Sequence, residues 1–209
     1  MKTVILTGGM GSGKSAVCRY LKTQGVPVYD SDARTKSLYD RKPALVDRMQ
    51  AELGVPLRDP QGKFDRKSLA SVIFSSPEKK ALVESLVYPA VLEDFLCWKR
   101  WQRPKGWHYG PVPFVVLESA VILSHQLFDG LGDRIVLVDA DESVRVARSV
   151  ARDGTDSASA LRRIRQQTFD RTRVHAVLHN DGSLDALSEE TDKVFLNLFL
   201  SLQDKNKLY

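Results

Sequence analysis

Gly8-Gly9-Met10-Gly11-Ser12-Gly13-Lys14-Ser15, entered directly from the apolar run Thr3-Val4-Ile5-Leu6-Thr7, fits G-x-x-x-x-G-K-[ST], a loop that cradles phosphate between a strand and a helix. Backbone N–H groups in such a loop converge on an anion, and glycine lets the chain take positive φ with no side chain in the way. Lys14 reaches the terminal phosphate oxygens, Ser15 offers a hydroxyl to Mg²⁺, and the helix that starts at the loop adds the positive end of its dipole. Gly9, Gly11, Ser12, Gly13, Lys14, Ser15 and Ala16 are therefore the expected contacts to a nucleoside triphosphate, with Ser15 as the metal ligand. The helical run Ala16-Val17-Cys18-Arg19-Tyr20-Leu21 completes the strand–loop–helix context that the motif requires.

The chain of 209 residues, 43% hydrophobic and 27% charged, is long enough for one core carrying an inserted subdomain and cramped for two independent domains. The first strand starts at once, which leaves no room for a signal peptide, and no apolar run approaches bilayer length. Cys18 and Cys97 stand apart in helical segments without metal-ligand spacing, as reduced, half-buried thiols. A cytoplasmic protein with no membrane partner is expected. The net charge of +5 suits an anionic partner without separating nucleic acid from a small polyphosphate. Neither a zinc finger nor an aromatic RNA-binding signature is present. Lys99 to Trp107 interleaves bases with aromatics, a composition that suits stacking on single strands, but its proline and glycine read better as the exit from a long helix. No nucleic-acid partner is expected, and oligomeric state stays open with a monomer favoured.

Five short apolar runs punctuate the chain: Thr3 to Thr7, Val26 to Tyr29, Phe114 to Leu117, Ile135 to Val138 and Ala176 to Leu178. Continuous rather than alternating runs suit strands buried on both faces of a parallel sheet, and helices between them make a three-layer α/β core. About eighty residues separate the second run from the third. Within them Pro43 to Leu53, Arg66 to Phe74 and Pro77 to Trp101 carry apolar residues at helical spacing, so a helical insertion is expected over 35–107 of a core formed by 1–34 and 108–209. A second excursion, about 143–173, is basic, helical and broken at Asp153-Gly154-Thr155. Its arginines read either as a lid that closes over phosphates or as a solvated, ion-paired helix face.

Ligands of open α/β sheets bind beyond the carboxyl ends of the strands. Asp30 and Asp32 follow the second strand there, and Glu118 follows the third. Phosphoryl transfer needs cations on the transferring group and one carboxylate to orient and deprotonate the attacking hydroxyl. Asp32 is the expected base. Asp30 reads equally as a helix N-cap, and Glu118 either assists Mg²⁺ or caps its strand.

Taken in order, several segments resemble the dephospho-coenzyme A kinase family. They are Leu6 to Ser15, Gly25-Val26-Pro27-Val28-Tyr29-Asp30-Ser31-Asp32, Phe64-Asp65-Arg66-Lys67-Ser68-Leu69 with Val72-Ile73-Phe74, Arg148 with Arg152-Asp153-Gly154, Arg163-Ile164-Arg165-Gln166-Gln167, and Val177 to Gly182. The resemblance implies a P-loop kinase core with an arginine-rich lid, and transfer of the ATP γ-phosphoryl group to the ribose 3′-hydroxyl of dephospho-coenzyme A. It implies Asp32 as general base, Lys14 and Arg148 as catalytic cations, Arg148 and Arg152 as lid contacts to phosphate, and Asn180 at the turn bordering adenine. The insertion would form much of the acceptor site. Four places depart from the family pattern: Ala16 replaces the usual threonine after the loop serine, Tyr88-Pro89 replaces His-Pro, Ser119 to His125 replaces a proline-leucine-leucine segment, and His175 stands where aspartate is common. The residues alone equally suit a nucleoside or nucleoside monophosphate kinase. A nucleotide-dependent switch protein fits less well, because no N-K-x-D motif is present.

Overall fold

In the computed structural model, which describes residues 1–103, 106–107, 110–120, 122, 125–167 and 170–204, strands and helices alternate from the first residues onward. The order is β1 (Lys2–Thr7), α1 (Lys14–Thr23), β2 (Val28–Asp30), α2 (Ser31–Arg41), α3 (Pro43–Leu53), α4 (Arg66–Ser75), α5 (Pro77–Trp101), β3 (Gly106–Trp107), β4 (Gly110–Pro111), β5 (Phe114–Glu118), β6 (Arg134–Asp139), α6 (Glu142–Asp153), α7 (Ser157–Arg165), β7 (Ala176–His179) and α8 (Leu184–Asp204). The described residues fall into two compact units, 1–29 with 102–209, and 30–101. Each is described by itself.

The larger unit is built on a five-stranded sheet in the order β2-β5-β1-β6-β7. β1 pairs parallel with β5, Val4 opposite Val116, and with β6, Ile5 opposite Ile135; β6 pairs parallel with β7, Leu137 opposite Val177. All five residues of β5 are buried and so are five of six in β1, as a sheet covered on both faces demands. On one face Val4, Leu6, Phe114, Val116, Val136 and Val138 pack against Val17 and Leu21 of α1 and Phe195, Leu198 and Phe199 of α8. Tyr20 of α1 donates to Asp192 of α8 at 2.6 Å, fixing the two helices side by side.

The second strand begins two residues later than its apolar run. Gly25, at φ +79°, turns the chain out of α1, and the Val26 N–H returns to the Leu21 carbonyl at 3.0 Å, so Val26 belongs to the helix cap. Pairing starts with the Pro27 carbonyl, which accepts from Val116 N–H at 2.8 Å. His175 is held against β6 as well: its N–H donates to the Ile135 carbonyl and its Nδ1 accepts from the Ile135 N–H, one step before the β6–β7 pairing begins.

The helical unit hangs on α5, 25 residues long with Pro89 inside it. Asp94 of α5, 8% exposed, receives a two-pronged guanidinium from Arg34 at 2.8 and 3.0 Å and one bond from Arg41 at 3.0 Å, which fastens both ends of α2 to α5. Asp65 caps α4, accepting from Lys67 N–H, Ser68 N–H and the Ser68 hydroxyl, and the Ser68 bonds hold its carboxyl below the ordinary carboxylate value. The Phe-Asp-Arg segment is thus in part a helix start.

Cys18 is buried and Cys97 exposed, and both are free thiols. Among the described residues no helix is long and apolar enough to cross a membrane. Pro104, Lys105, Val121, Leu123 and Ser124, parts of two segments noted in the sequence, lie outside the described residues. Phe195 is fully buried, its ring 5.9 Å from that of Phe114, so Phe195→Ala removes a central aromatic of the α8–sheet layer. Urea unfolding is expected to show a loss of about 3–5 kcal/mol, and an unchanged midpoint would contradict this packing.

Candidate functional site

The loop between β1 and α1 takes the glycine conformations that the motif calls for: Gly11 at φ +76°, and Gly13 at φ +97° as the N-cap of α1. Space as well as backbone angle restricts these positions. A Cβ on Gly13 would sit 1.9 Å from Asn180 Nδ2, and one on Gly11 would meet the Arg145 carbonyl oxygen at 2.3 Å. Gly9 is closed by the Arg145 guanidinium, 2.1 Å from a built Cβ. Two other segments, the start of α6 and the turn after β7, therefore pack directly onto the loop.

Those contacts are hydrogen bonds. Buried Asn180 donates its Nδ2 to the Ser12 carbonyl at 2.8 Å, while its own N–H bonds the Asp139 carbonyl at the end of β6. Arg148 of α6 donates to the Asn180 carbonyl at 2.8 Å, so Arg148 and Asn180 form one assembly with the loop. Arg145 Nε donates to the Met10 carbonyl at 3.0 Å, and the Met10 N–H is taken by Gln167 Oε1 at 2.7 Å. Both groups of the Met10 residue are held by the arginine-rich excursion. Neither Arg145 nor Gln167 was singled out for this from the sequence: the bonds span 135 and 157 residues, and only the clustering of Arg145 with its neighbouring arginines hinted at it.

A cavity of about 230 Å³ opens on the loop, lined by Gly9, Met10, Gly11, Gly13, Lys14, Ser15, Ala16, Arg19, Arg148 and Arg152. Of the residues expected to contact nucleotide, Gly9, Gly11, Gly13, Lys14, Ser15, Ala16, Arg148 and Arg152 are thus brought together. Ser12 is buried in the loop and joined through Asn180 to the same assembly. Arg19 was not expected. Lys14 Nζ lies 3.8 Å from Glu118 Oε1, with both side chains largely buried, so the carboxylate at the end of β5 faces the loop lysine.

The arginine-rich excursion is α6, ended by Gly154 at φ +64°, followed by α7. Two of its arginines are paired with carboxylates: Arg152 forks onto Asp153 at 2.7 and 2.8 Å, and Arg165 onto Glu142 at 3.0 and 2.9 Å. The Arg165 fork holds the Glu142 carboxyl below its ordinary value and clips α7 to α6. Arg148 and Arg152 line the cavity, Arg152 while paired with Asp153, and Arg165 forms an ion pair at the surface.

In the helical unit Asp30 is the N-cap of α2, its Oδ1 accepting from Ala33 N–H at 2.9 Å, and Asp32 lies in that helix's first turn. The bland reading of Asp30 is the observed one. Tyr88 is in the same neighbourhood: burial raises its phenol first, and the Glu84, Tyr39 and Asp32 charges add to the shift, with Glu84 also hydrogen-bonded to it. Tyr88 consequently remains a neutral hydroxyl at any physiological pH. A separate cavity in this unit, about 550 Å³, is lined by Tyr39, Asp40, Pro43, Arg58, Lys63, Phe64 and Arg66, with the Tyr39 and Phe64 rings stacked 4.3 Å apart.

The parallel sheet, the glycine loop at its carboxyl edge and a cavity walled by lysine and arginine define a P-loop phosphotransferase. A protein-family model described as dephospho-CoA kinase matches residues 2–186. A dephospho-CoA kinase of Porphyromonas gingivalis is 36% identical over 167 residues, covering 80% of this chain and 78% of that protein. One from Chlorobaculum tepidum is 34% identical over 205 residues, covering 92% and 93%. A crystal structure of a Thermus thermophilus protein superposes with TM-score 0.74 at 31% identity, covering 94% of this chain and 97% of that one. The chain belongs to the dephospho-CoA kinase family.

Gly13→Ala tests the close packing at the loop. Left-handed strain alone costs about 1–2 kcal/mol, and the new methyl displaces the Asn180 amide. A lower Tm and loss of the stabilisation that ATP confers in a thermal scan are expected; a variant stabilised by ATP as the parent is would show the loop to be looser than described.

Proposed function

We propose that the chain transfers the γ-phosphoryl group of ATP to the ribose 3′-hydroxyl of dephospho-coenzyme A, giving ADP and coenzyme A, the last step of coenzyme A synthesis. The observation that carries the reading is the loop cavity, where Lys14, Arg148 and Arg152 surround the positive end of α1 in a chain of this family. Loop N–H groups with Gly9, Gly11, Ser12, Gly13 and Ala16 seat the polyphosphate. Lys14 and Arg148 neutralise charge that develops on the transferring group, Arg152 adds a further cation, and the Asn180 turn borders the adenine.

Asp32 takes the proton of the acceptor hydroxyl as its oxygen bonds to the γ-phosphorus; the bond from that phosphorus to the bridging oxygen breaks, and ADP leaves with the electron pair. Support for Asp32 over Asp30 comes from Asp30 being committed to the α2 cap, whereas Asp32 carries no capping bond. The helical unit supplies the acceptor contacts, and its aromatic, cation-lined cavity has chemistry suited to a phosphorylated, ring-bearing molecule.

The donor set also fits Mg²⁺. Ser15, which lines the loop cavity, and Glu118, which faces Lys14, are hard oxygen donors. That matches a cation which keeps several waters and takes phosphate oxygens as its other ligands. Bound at Ser15, Mg²⁺ supplies charge neutralisation on the phosphates. We further assign the protein to the cytoplasm, engaging neither membrane nor nucleic acid, with the oligomeric state open and a monomer favoured.

Product analysis by mass spectrometry after incubation with Mg-ATP and dephospho-coenzyme A is expected to show coenzyme A; phosphorylation of nucleosides or nucleotides with dephospho-coenzyme A untouched would overturn the assignment. Asp32→Asn should lower kcat by about 10²–10⁴-fold with the KM for ATP nearly unchanged, and a variant of parental kcat would remove Asp32 from the base role.

A further inference from the structure

The cavity at the loop has a cation that neither the motif nor the family resemblance assigned. Arg19 of α1 lines it together with Lys14, Ser15, Ala16, Arg148 and Arg152. The others already have protein partners: Lys14 faces Glu118, Arg148 bonds the Asn180 carbonyl, and Arg152 forks onto Asp153. Among the described residues Arg19 makes no hydrogen bond or ion pair, and it is exposed. An arginine with no carboxylate of its own, opening on an anion-binding cavity, has its full charge and all its donors free for a ligand.

Where on the ligand Arg19 acts follows from helix geometry. It lies five residues, about 7.5 Å along the axis, beyond Lys14, so the two cations serve different parts of an extended polyphosphate. Side chains on a helix lean toward its N-terminus and cover the preceding turn. The guanidinium of Arg19 therefore leans back over Ser15 and Ala16, the residues three and four before it. Ser15 is the expected metal ligand, and Ala16 is small and carries no hydroxyl, so position 16 of the cavity wall offers no side-chain donor to phosphate.

We infer that Arg19 binds the α-phosphate of the donor nucleotide, supplying from one turn along α1 the side-chain hydrogen bond that Ala16 lacks. The inference rests on the proposed seat of ATP in this loop. Lys14 holds the terminal phosphates and Arg19 the phosphate next to the nucleoside. Arg19 is then a determinant of nucleotide affinity that acts equally on ATP and ADP, and its contribution does not change as the γ-phosphoryl group is transferred. It therefore bears on KM and leaves kcat alone.

Calorimetric titration of the full chain with ADP and with inorganic pyrophosphate tests this. Arg19→Ala should weaken ADP binding by about 10- to 100-fold while pyrophosphate, which needs only the Lys14 end, changes by less than about 3-fold. The KM for ATP should rise in step with the ADP dissociation constant, with kcat at saturating ATP within about 2-fold. Arg19→Lys keeps the charge without the fork and should fall between. Ala16→Thr placed in the Arg19→Ala background should recover part of the ADP affinity, a rescue that a merely structural role for Arg19 would not produce. ADP affinity of Arg19→Ala equal to the parent's overturns the inference, and so does equal weakening of ADP and pyrophosphate or a fall in kcat with ADP binding intact. Failure of the unaltered protein to bind ADP would instead overturn the nucleotide seat itself, and Arg19 with it.

Discussion

The contact on which the rest of the larger unit depends is the one between the loop at Gly13 and the side chain of Asn180, where Nδ2 bonds the Ser12 carbonyl inside a gap that admits no Cβ. It joins the first β–α connection to the last. Asn180 follows β7 and Gly13 follows β1, and these strands are separated in the sheet by β6. The bond can form only if all three strands are in register, so the phosphate seat reports on the whole parallel sheet. This gives the loop glycines a second cause. Anion binding needs free N–H groups and positive φ, but the carbonyl of Arg145 against Gly11 and the amide of Asn180 against Gly13 would exclude side chains even with no ligand in view.

Charge is arranged by the same logic of position. An excess of cations gathered around one loop is destabilising unless solvent or partners screen it. Glu118 faces Lys14, the Asn180 carbonyl takes Arg148, and Asp153 takes Arg152. Carbonyls and neighbouring acids are weak enough partners to be exchanged for phosphate, since an exposed pair such as Arg152 with Asp153 contributes little in water. Pairs farther out, such as Arg165 with Glu142, hold α6 and α7 together and do not enter the cavity. One basic stretch thus both lines the cavity, through Arg148 and Arg152, and joins α6 to α7, through Arg165.

Much of this was legible in the chain. The motif placed the loop, and four of the five apolar runs became strands within a residue or so at either end, because a run buried on both faces has no competing period. The second strand shifted because the backbone donor of Val26 is consumed by the α1 cap, a hydrogen bond that hydrophobicity does not record. Asp30 and Asp65 stand in motif segments yet serve as helix caps, and capping is chemistry that any segment of this composition can supply. The grip of Arg145 and Gln167 on Met10 was illegible for another reason: it joins residues more than a hundred positions apart through backbone atoms of Met10, whose side chain has no part in it. Arg19 escaped because a lone arginine on a helix is ordinary until the helix is known to border a cavity.

The acceptor side presents the converse problem, a departure in sequence whose chemistry only local structure resolves. Tyr88 stands where the resemblance places a histidine, and an imidazole there would titrate close to neutral pH. Burial and the carboxylates of Glu84 and Asp32 act on the phenol in the same direction, each disfavouring its anion. This position therefore holds a group whose charge does not switch, while still offering a hydrogen-bond donor. Two consequences follow for the carboxylates nearby. Glu84 gains a hydrogen-bond donor that does not ionise, and Asp32 faces a neutral phenol in place of a group able to carry charge. A phenol that stays neutral neither carries charge nor takes up the proton that the proposed base must accept from a sugar hydroxyl, so the substitution at Tyr88 is compatible with the chemistry proposed for Asp32.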